Sequence, residues 1–585
     1  MGIVVGQAQR KARRLEEWLP VETPGPTLVG EFPTRGAAAQ TRRWGWLETA
    51  VLLGYAAVVA VGILWHEPWA DEAQAWLMAR DLGWWKMMAH AVRYEGSPGL
   101  WHTILWVLAR FGVSYAGMHW VSGAIAVAGV VVLLRDSPFP WPLRILLPFG
   151  FWLAYQDAVI ARSYVVFAAL AFPAAAMLRG MMRGETRPTR GRLLGLAVLL
   201  GLMANLSIYG MVASAGFAVA ALGAMRKDKR AATRLPALVL CAFWIFAVAT
   251  AFPPSDVNFA AGNNFERSRE KIEAKFGDQQ AKLELARTPQ SDVRPGELTP
   301  KPPRVTHWTA AQASWHKVAR VLSLLTYPVA TNRWLALALC ALVVVEAIRL
   351  RAGPGQMGWM GLLPWALMIL VFTQVYLAAR QAGMLWTALL AALWLTWPAR
   401  PERTRAGVWL HRALVLALLL AAIDQAWWTA HAVWGDMHGP YSGDVAMAHF
   451  LRAQPKGARI AGFYYYSVGA EPWFDHPIFR NQATSYWIWS RKVRIDQQAP
   501  ATIATRPDVL VLGQMRWGLR DGNIDADWMP ADAEQAADDR LSDEYRIIPY
   551  AEARGYRITH RFCGMALMRN GYSEQLCETA MQPER

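Results

Sequence analysis

Charged residues are scarce in this chain, at 18% of 585 positions, and that scarcity excludes an ordinary soluble protein of this length. No segment gathers positive charge into a basic groove interleaved with aromatics, so the formal charge of +16 does not indicate nucleic acid. The amino-terminal stretch carries Arg10, Lys11, Arg13 and Arg14, then Arg42 and Arg43, with no small-residue cleavage site behind them. It reads as a basic cytoplasmic tail over 1–46 and not as a signal peptide. No glycine-rich phosphate loop is evident, which removes the usual cradle of a nucleotide. Repeated halves with discontinuous helices, the mark of many transporters, are also missing. His66, His90, His102 and His307 show no tight ligand spacing on one helix. No metal site is therefore read from them, and a divalent cation stays open as a cofactor.

Apolar residues are abundant, at 54%, and the chain holds 31 tryptophans. Runs at 50–64, 335–345 and 413–423, with their semi-polar flanks, reach the roughly 20 residues that a hydrocarbon core of about 30 Å demands of a helix. The mean hydropathy of +0.15 is an average over this apolar part and a polar part lying mostly between Pro253 and Ala330 and after Gly435. The fold class expected is a polytopic α-helical membrane protein with a carboxy-terminal soluble α/β domain.

Arginine clusters at 179–192, 226–234, 349–351 and 400–412 sit between hydrophobic spans and are read as cytoplasmic, which fixes the parity of the helices between them. About eleven spans satisfy it, near 47–65, 117–134, 143–155, 163–178, 193–206, 208–225, 235–252, 334–348, 357–377, 382–397 and 413–434. The segment 100–111 is too short to cross and would invert the later parity, so it is expected to lie at the interface. Whether 193–225 is one tilted helix or two is open, although Asn205, Ser207 and Tyr209 favour a turn. This threading makes 47–434 a transmembrane domain, with a first external loop over 66–116 and a long one over 253–330. An external α/β domain follows over 435–585. Trp69, Trp76, Trp84, Trp85 and Trp101 are expected to form an interfacial belt.

In the carboxy-terminal domain, 444–454 has the period of an amphipathic helix, and 459–466 and 508–513 read as short buried strands. Cys563 and Cys577 fall on the side where an oxidising compartment permits a disulfide, and they are expected to pair. Cys241 and Cys340 lie inside spans as packing residues.

The sequence HEPWADEAQAW places Asp71 and Glu72 a few residues past the first span. Carboxylates at the mouth of a helical bundle need partners or water, so they point to a functional site, with acids in a solvated loop as the equal bland alternative. Two further turns offer charge at the same depth: Asp157 with Arg162 in YQDAVIARSY, and Arg380 in YLAARQAG. A carboxylate is a base for a hydroxyl, and arginine presents a fork suited to phosphate oxygens. The blander alternatives are an Asp157–Arg162 ion pair and an Arg380 that reaches to headgroups. Asp424 is a lone acid within a span, with no visible partner.

An Asp-Glu pair in a first external loop with interfacial helices, closed by YEGSPGLW over Tyr94–Trp101, resembles the GT-C glycosyltransferases. The likeness is in particular to relatives of protein O-mannosyltransferases and of the aminoarabinose transferase that modifies lipid A. The order of elements matches to about Trp434. The resemblance implies that Asp71 is the catalytic carboxylate with Glu72 in support, that Asp157 is the second acid, and that Arg162 and Arg380 hold the phosphate of a polyprenyl-phosphate sugar donor. Glu95, His102 and Tyr164 are expected to bind substrate. Gly96 to Pro98 stands where relatives often carry His-Pro-Pro, and Gln381 follows Arg380 where an aromatic or His is common.

The expected function is transfer of a sugar from a polyprenyl-phosphate carrier to a lipid, glycan or protein acceptor at the external face of the inner (plasma) membrane. Inverting single displacement is the expected mechanism, with membrane lipids as further partners. The rival readings are a transporter or lipid flippase, and a non-catalytic membrane assembly or sensor protein with an external binding domain.

Overall fold

The computed structural model describes residues 44–225, 233–257, 322, 325–352, 358–372, 381–398, 404–490, 492–493, 495–517, 547–564, 567–569 and 572–584. Arg380, His307 and the charged segment 263–304 lie outside these residues. So does the basic tail up to Arg43.

The chain is a multi-pass α-helical membrane protein carrying a small sheet domain. Its long apolar helices are α1 (Trp46–Trp65), α4 (Gly117–Asp136), α5 (Tyr164–Met182), α7 (Ile208–Met225), α8 (Arg234–Ala251) and α12 (Arg405–His438). Among the described residues these six are long and apolar enough to cross a membrane. Between them lie α2 (Ala70–Asp81), α3 (Leu100–Arg110), α6 (Arg190–Ala204), α9 (Arg333–Ala352), α10 (Leu363–Phe372) and α11 (Ala382–Thr396). The region 193–225 is two helices. Asn205 turns the chain, its side-chain amide donating to Gly201 O and Phe243 O at 2.9 and 3.0 Å. The segment 100–111 is a single helix of 11 residues, about 16 Å long and too short to span.

The expected span 143–155 is not one helix. It divides into Trp141–Leu146, a 3₁₀ turn at Leu147–Phe149 and a π-helical turn at Trp152–Gln156. Pro148 removes an amide donor, and at Gly150 the backbone turns extended, so the α ladder cannot continue. Close packing accounts for several small residues. A Cβ at Gly216 of α7 would meet the backbone of Pro364 at 2.6 Å, so α7 and α10 touch main chain to main chain. Asp424 has a partner after all, since Thr331 N donates to its carboxylate at 2.7 Å. Arg179 caps the end of α11 by donating to Trp394 O and Trp397 O at 2.7 and 2.8 Å.

The carboxy-terminal domain contains α13 (Asp444–Arg452) and strands β1 (Ile460–Phe463), β2 (Val509–Trp517), β3 (Tyr556–Cys563), β4 (Leu567–Arg569) and β5 (Tyr572–Pro583). The strand order is β1-β2-β5-β3 with β4 also on β5; β1 and β2 are parallel and the other pairs antiparallel. Cys563 faces Cys577 across β3 and β5, and the two are disulfide-bonded. The tryptophan belt is a correction. Trp85 is exposed, but Trp69, Trp76 and Trp101 are buried, and Trp69 packs against Tyr441 and Tyr466 of the carboxy-terminal domain.

If α5 and α6 are joined on the cytoplasmic side, a cysteine placed at exposed Glu185 is shielded from an impermeant thiol reagent added outside. One placed at exposed Asp475, in the sheet domain, is labelled. Labelling of position 185 alone would reverse the topology.

Candidate active site

Helix α2 is short, and residues 70–79 are all buried, which is unusual for a helix in a loop. It begins at Trp69, whose backbone is extended, and Glu72 at the third helical position turns back toward the Trp69 amide at 3.3 Å. That contact satisfies one of the donors left open at a helix start, and two acids in the first turn suit the positive end of the helix dipole. Neighbouring side chains on a helix point about 100° apart, so Asp71 and Glu72 face different surroundings.

Glu72 faces the membrane domain. Its Oε2 lies 3.2 Å from His66 Nε2, and its Oε1 lies 2.8 Å from His119 Nε2 and accepts from Ala161 N at 2.6 Å. Burial alone would raise this carboxyl, but the two imidazoles more than offset it and hold Glu72 far below the usual carboxylate range. Burial by itself lowers His66. Glu72 and Asp436 reverse that and raise it to about 10.

Asp71 faces the sheet domain. Tyr465 Oη donates to its Oδ1 at 2.9 Å, and Arg162 Nη1 lies 3.4 Å from its Oδ2 while also donating to Asp71 O. Burial and the Asp71 charge push the Tyr465 phenol well up, so at neutral pH it is a proton donor to the carboxylate. Arg162 also sits 5.9 Å from the ring of Tyr164. Glu95 and His102 are 3.2 Å apart, and His102, Arg162 and Gln74 overcome the burial that would raise Glu95, leaving it lowered. The fold thus brings Asp71, Arg162, Glu95, His102 and Tyr164 to one place.

Tyr465 arrives by a strained route. Tyr464 has φ 64° and ψ 151°, a region almost confined to glycine that costs on the order of 1–3 kcal/mol. Three hydrogen bonds hold it there: Tyr464 N to Asp496 Oδ1 at 2.7 Å, and Ser467 N and Oγ to Tyr464 O at 3.2 and 2.8 Å. Strand β2 backs this turn so closely that a Cβ at Gly513 would lie 1.9 Å from Ser467 N.

Two expectations change. Asp157 does not join Asp71 or pair with Arg162. It is buried against α11, where a Cβ at Gly383 would stand 2.3 Å from its Oδ2, and burial pushes its carboxyl well above the ordinary range. Of the histidines weighed in the sequence, His66 does enter a cluster, but with His119, which is not among them, and through the fold and not through helical spacing: His66 follows α1 and His119 lies in the first turn of α4. His119, Asp436, Gln74 and Tyr465 carry no sequence signal. Each finds its partner over a long separation, such as the 394 residues between Asp71 and Tyr465.

Helix α2 is tied to the sheet domain by a two-way clamp. Gln74 Nε2 donates to Trp487 O and Trp487 N donates to Gln74 Oε1, both at 2.8 Å. Gln74→Leu leaves two buried backbone groups unpaired and is expected to destabilise the junction by about 2–4 kcal/mol. A lower thermal midpoint with faster proteolysis at the junction is the expected reading, and an unchanged midpoint contradicts it.

No family model matches this sequence, and no curated protein matches it. Among solved structures, the chain is similar to the crystal structure of ArnT from Cupriavidus metallidurans bound to undecaprenyl phosphate, at 12% sequence identity. The similarity covers 80% of this chain and 92% of that chain, with a TM-score of 0.46.

Proposed function

We propose that the chain is a membrane glycosyltransferase of the GT-C type. In this reading it moves a sugar from a polyprenyl-phosphate donor to an acceptor hydroxyl, with Asp71 as the general base. The observation that carries the reading is a single buried carboxylate held between a guanidinium and a phenol at the mouth of the helical bundle. Arg162 suits an anionic leaving group, and Tyr465 fixes the rotamer of Asp71.

The acceptor hydroxyl attacks the anomeric carbon as the bond from that carbon to the phosphate oxygen breaks. The hydroxyl proton passes to Asp71, and the electron pair of the broken bond leaves with the polyprenyl phosphate. That product gains one negative charge, which Arg162 stabilises in the transition state, with Arg380 assigned to the same task by the GT-C resemblance. Attack from the face opposite the phosphate inverts the anomeric centre. In this reading Glu95 and His102 orient sugar or acceptor hydroxyls, which their contact with each other beside Arg162 supports. Asp157 is given no contact with substrate here.

Asp71→Asn keeps the shape but removes the base, so transfer by the purified protein should fall by roughly 10² to 10⁴ while donor lipid still binds. Normal transfer by this variant sinks the mechanism. Tyr465→Phe removes only a hydroxyl that orients Asp71. It should lower kcat with little effect on KM, since the Asp71 rotamer is no longer held. An unchanged kcat, or a loss carried by KM alone, would leave Tyr465 without a positioning role.

A further inference from the structure

The surroundings of Glu72 pose a question of charge that the transfer reaction does not answer. Glu72, His66 and His119 come from three different helices or helix ends, and their side chains are almost wholly enclosed, at 0%, 0% and 4% exposure. Both Nε2 atoms converge on the one carboxylate. The opposite ring nitrogens face acceptors: His119 Nδ1 is 3.3 Å from Ala116 O, and His66 Nδ1 is 3.4 Å from Asp436 Oδ2. The second is a looser ion contact than the first. Asp436 is itself held, since Tyr155 Oη donates to the same oxygen at 2.8 Å.

A carbonyl only accepts, so His119 Nδ1 carries a proton, while His66 Nδ1 has the Asp436 charge beside it without a formed hydrogen bond. Both Nε2 atoms point at the same carboxylate, and a positive charge between the three groups suits that convergence. Two protons supply that charge by making a pair of imidazolium rings buried side by side, with ring centroids 6.0 Å apart. One divalent ion supplies the same charge and leaves both rings neutral.

We propose that His66 Nε2, His119 Nε2 and the Glu72 carboxylate bind one divalent transition-metal ion of the zinc class. The ligand atoms lie within 4.8 Å of one another, which a small inward movement closes to bonds of about 2.0–2.2 Å. Two imidazoles and one carboxylate suit zinc over magnesium or calcium, which take oxygen sets. The contacts to Ala116 O and Asp436 match the outer shell that commonly orients histidine ligands. The amides of Ala161 and Trp69 occupy other lone pairs of Glu72 and need not move. The ion ties α1, α2 and α4 together directly behind Asp71. Its role is to position that residue, not to touch substrate.

The test uses the full chain without a histidine tag, purified in detergent, loaded with zinc chloride and desalted, with no sugar donor present. Elemental analysis should find about one zinc per chain in the wild type and background levels in Glu72→Gln and His119→Gln. Zinc absorption spectroscopy on the wild type needs no variant. It should show a nitrogen and oxygen shell near 2.0–2.1 Å with imidazole scattering. A wild-type chain that retains no zinc overturns the proposal, as does equal retention by His119→Gln or a bound zinc that shows no imidazole. Because zinc is counted without turnover, its absence would leave the sugar-transfer reading standing, and failure of that reading would leave the zinc count unaffected.

Discussion

The buried Glu72 carboxylate is the contact on which the arrangement of the site depends. Four nitrogen atoms surround it, from His66, His119, Ala161 and Trp69. Through them one side chain joins the end of α1, the start of α4, the turn ahead of α5 and the first residue before α2. A carboxylate so enclosed is tolerable only because every lone-pair direction is met and the charge is opposed. With Glu72 fixed, α2 can rotate very little about its axis, and Asp71 is fixed one residue away.

The second half of the site comes from the sheet domain. Its contacts to the first loop are numerous and polar: Gln74 with Trp487, Arg80 with Phe474 O at 2.6 Å, Val445 N with Glu67 at 2.8 Å, and Tyr465 with Asp71. Helix α2 is therefore held on both faces, by ionic contacts toward the membrane domain and by backbone-directed hydrogen bonds toward the sheet domain. The strained Tyr464 backbone fits this division. Conformational cost is concentrated in the turn that presents the Tyr465 phenol to the candidate base. A site braced from two sides keeps its carboxylate, guanidinium and phenol in register without relying on the substrate to assemble them.

Much of the fold was legible because the bilayer imposes long apolar runs and arginine placement marks their ends. The helices 208–225 and 382–396 stand almost where hydropathy alone puts them. The break at 147–150 was missed because apolar content continues through Pro148 and Gly150, and a window average does not register a lost amide donor. Asp71 and Arg162 were legible as charges near a boundary. Asp157 belongs to the same pattern, and only tertiary packing against Gly383 separates it from them. Tyr465, His119 and Asp436 had no local signature, because their meaning comes from a contact with a distant residue. No period or spacing encodes such a contact. The buried tryptophans of the first loop failed for the same reason: an amphipathic ring at a membrane edge and one under a second domain look alike in sequence.

The account stands or falls on whether the guanidinium beside Asp71 holds the phosphate of a lipid carrier. Native mass spectrometry of the full chain, released from detergent with its bound lipids, tests this most directly. The account predicts a polyprenyl-phosphate lipid on the wild-type protein that is lost from a folded Arg162→Ala variant. A wild-type chain that carries no such lipid even after incubation with it, or an Arg162→Ala chain that keeps it equally well, would contradict the account.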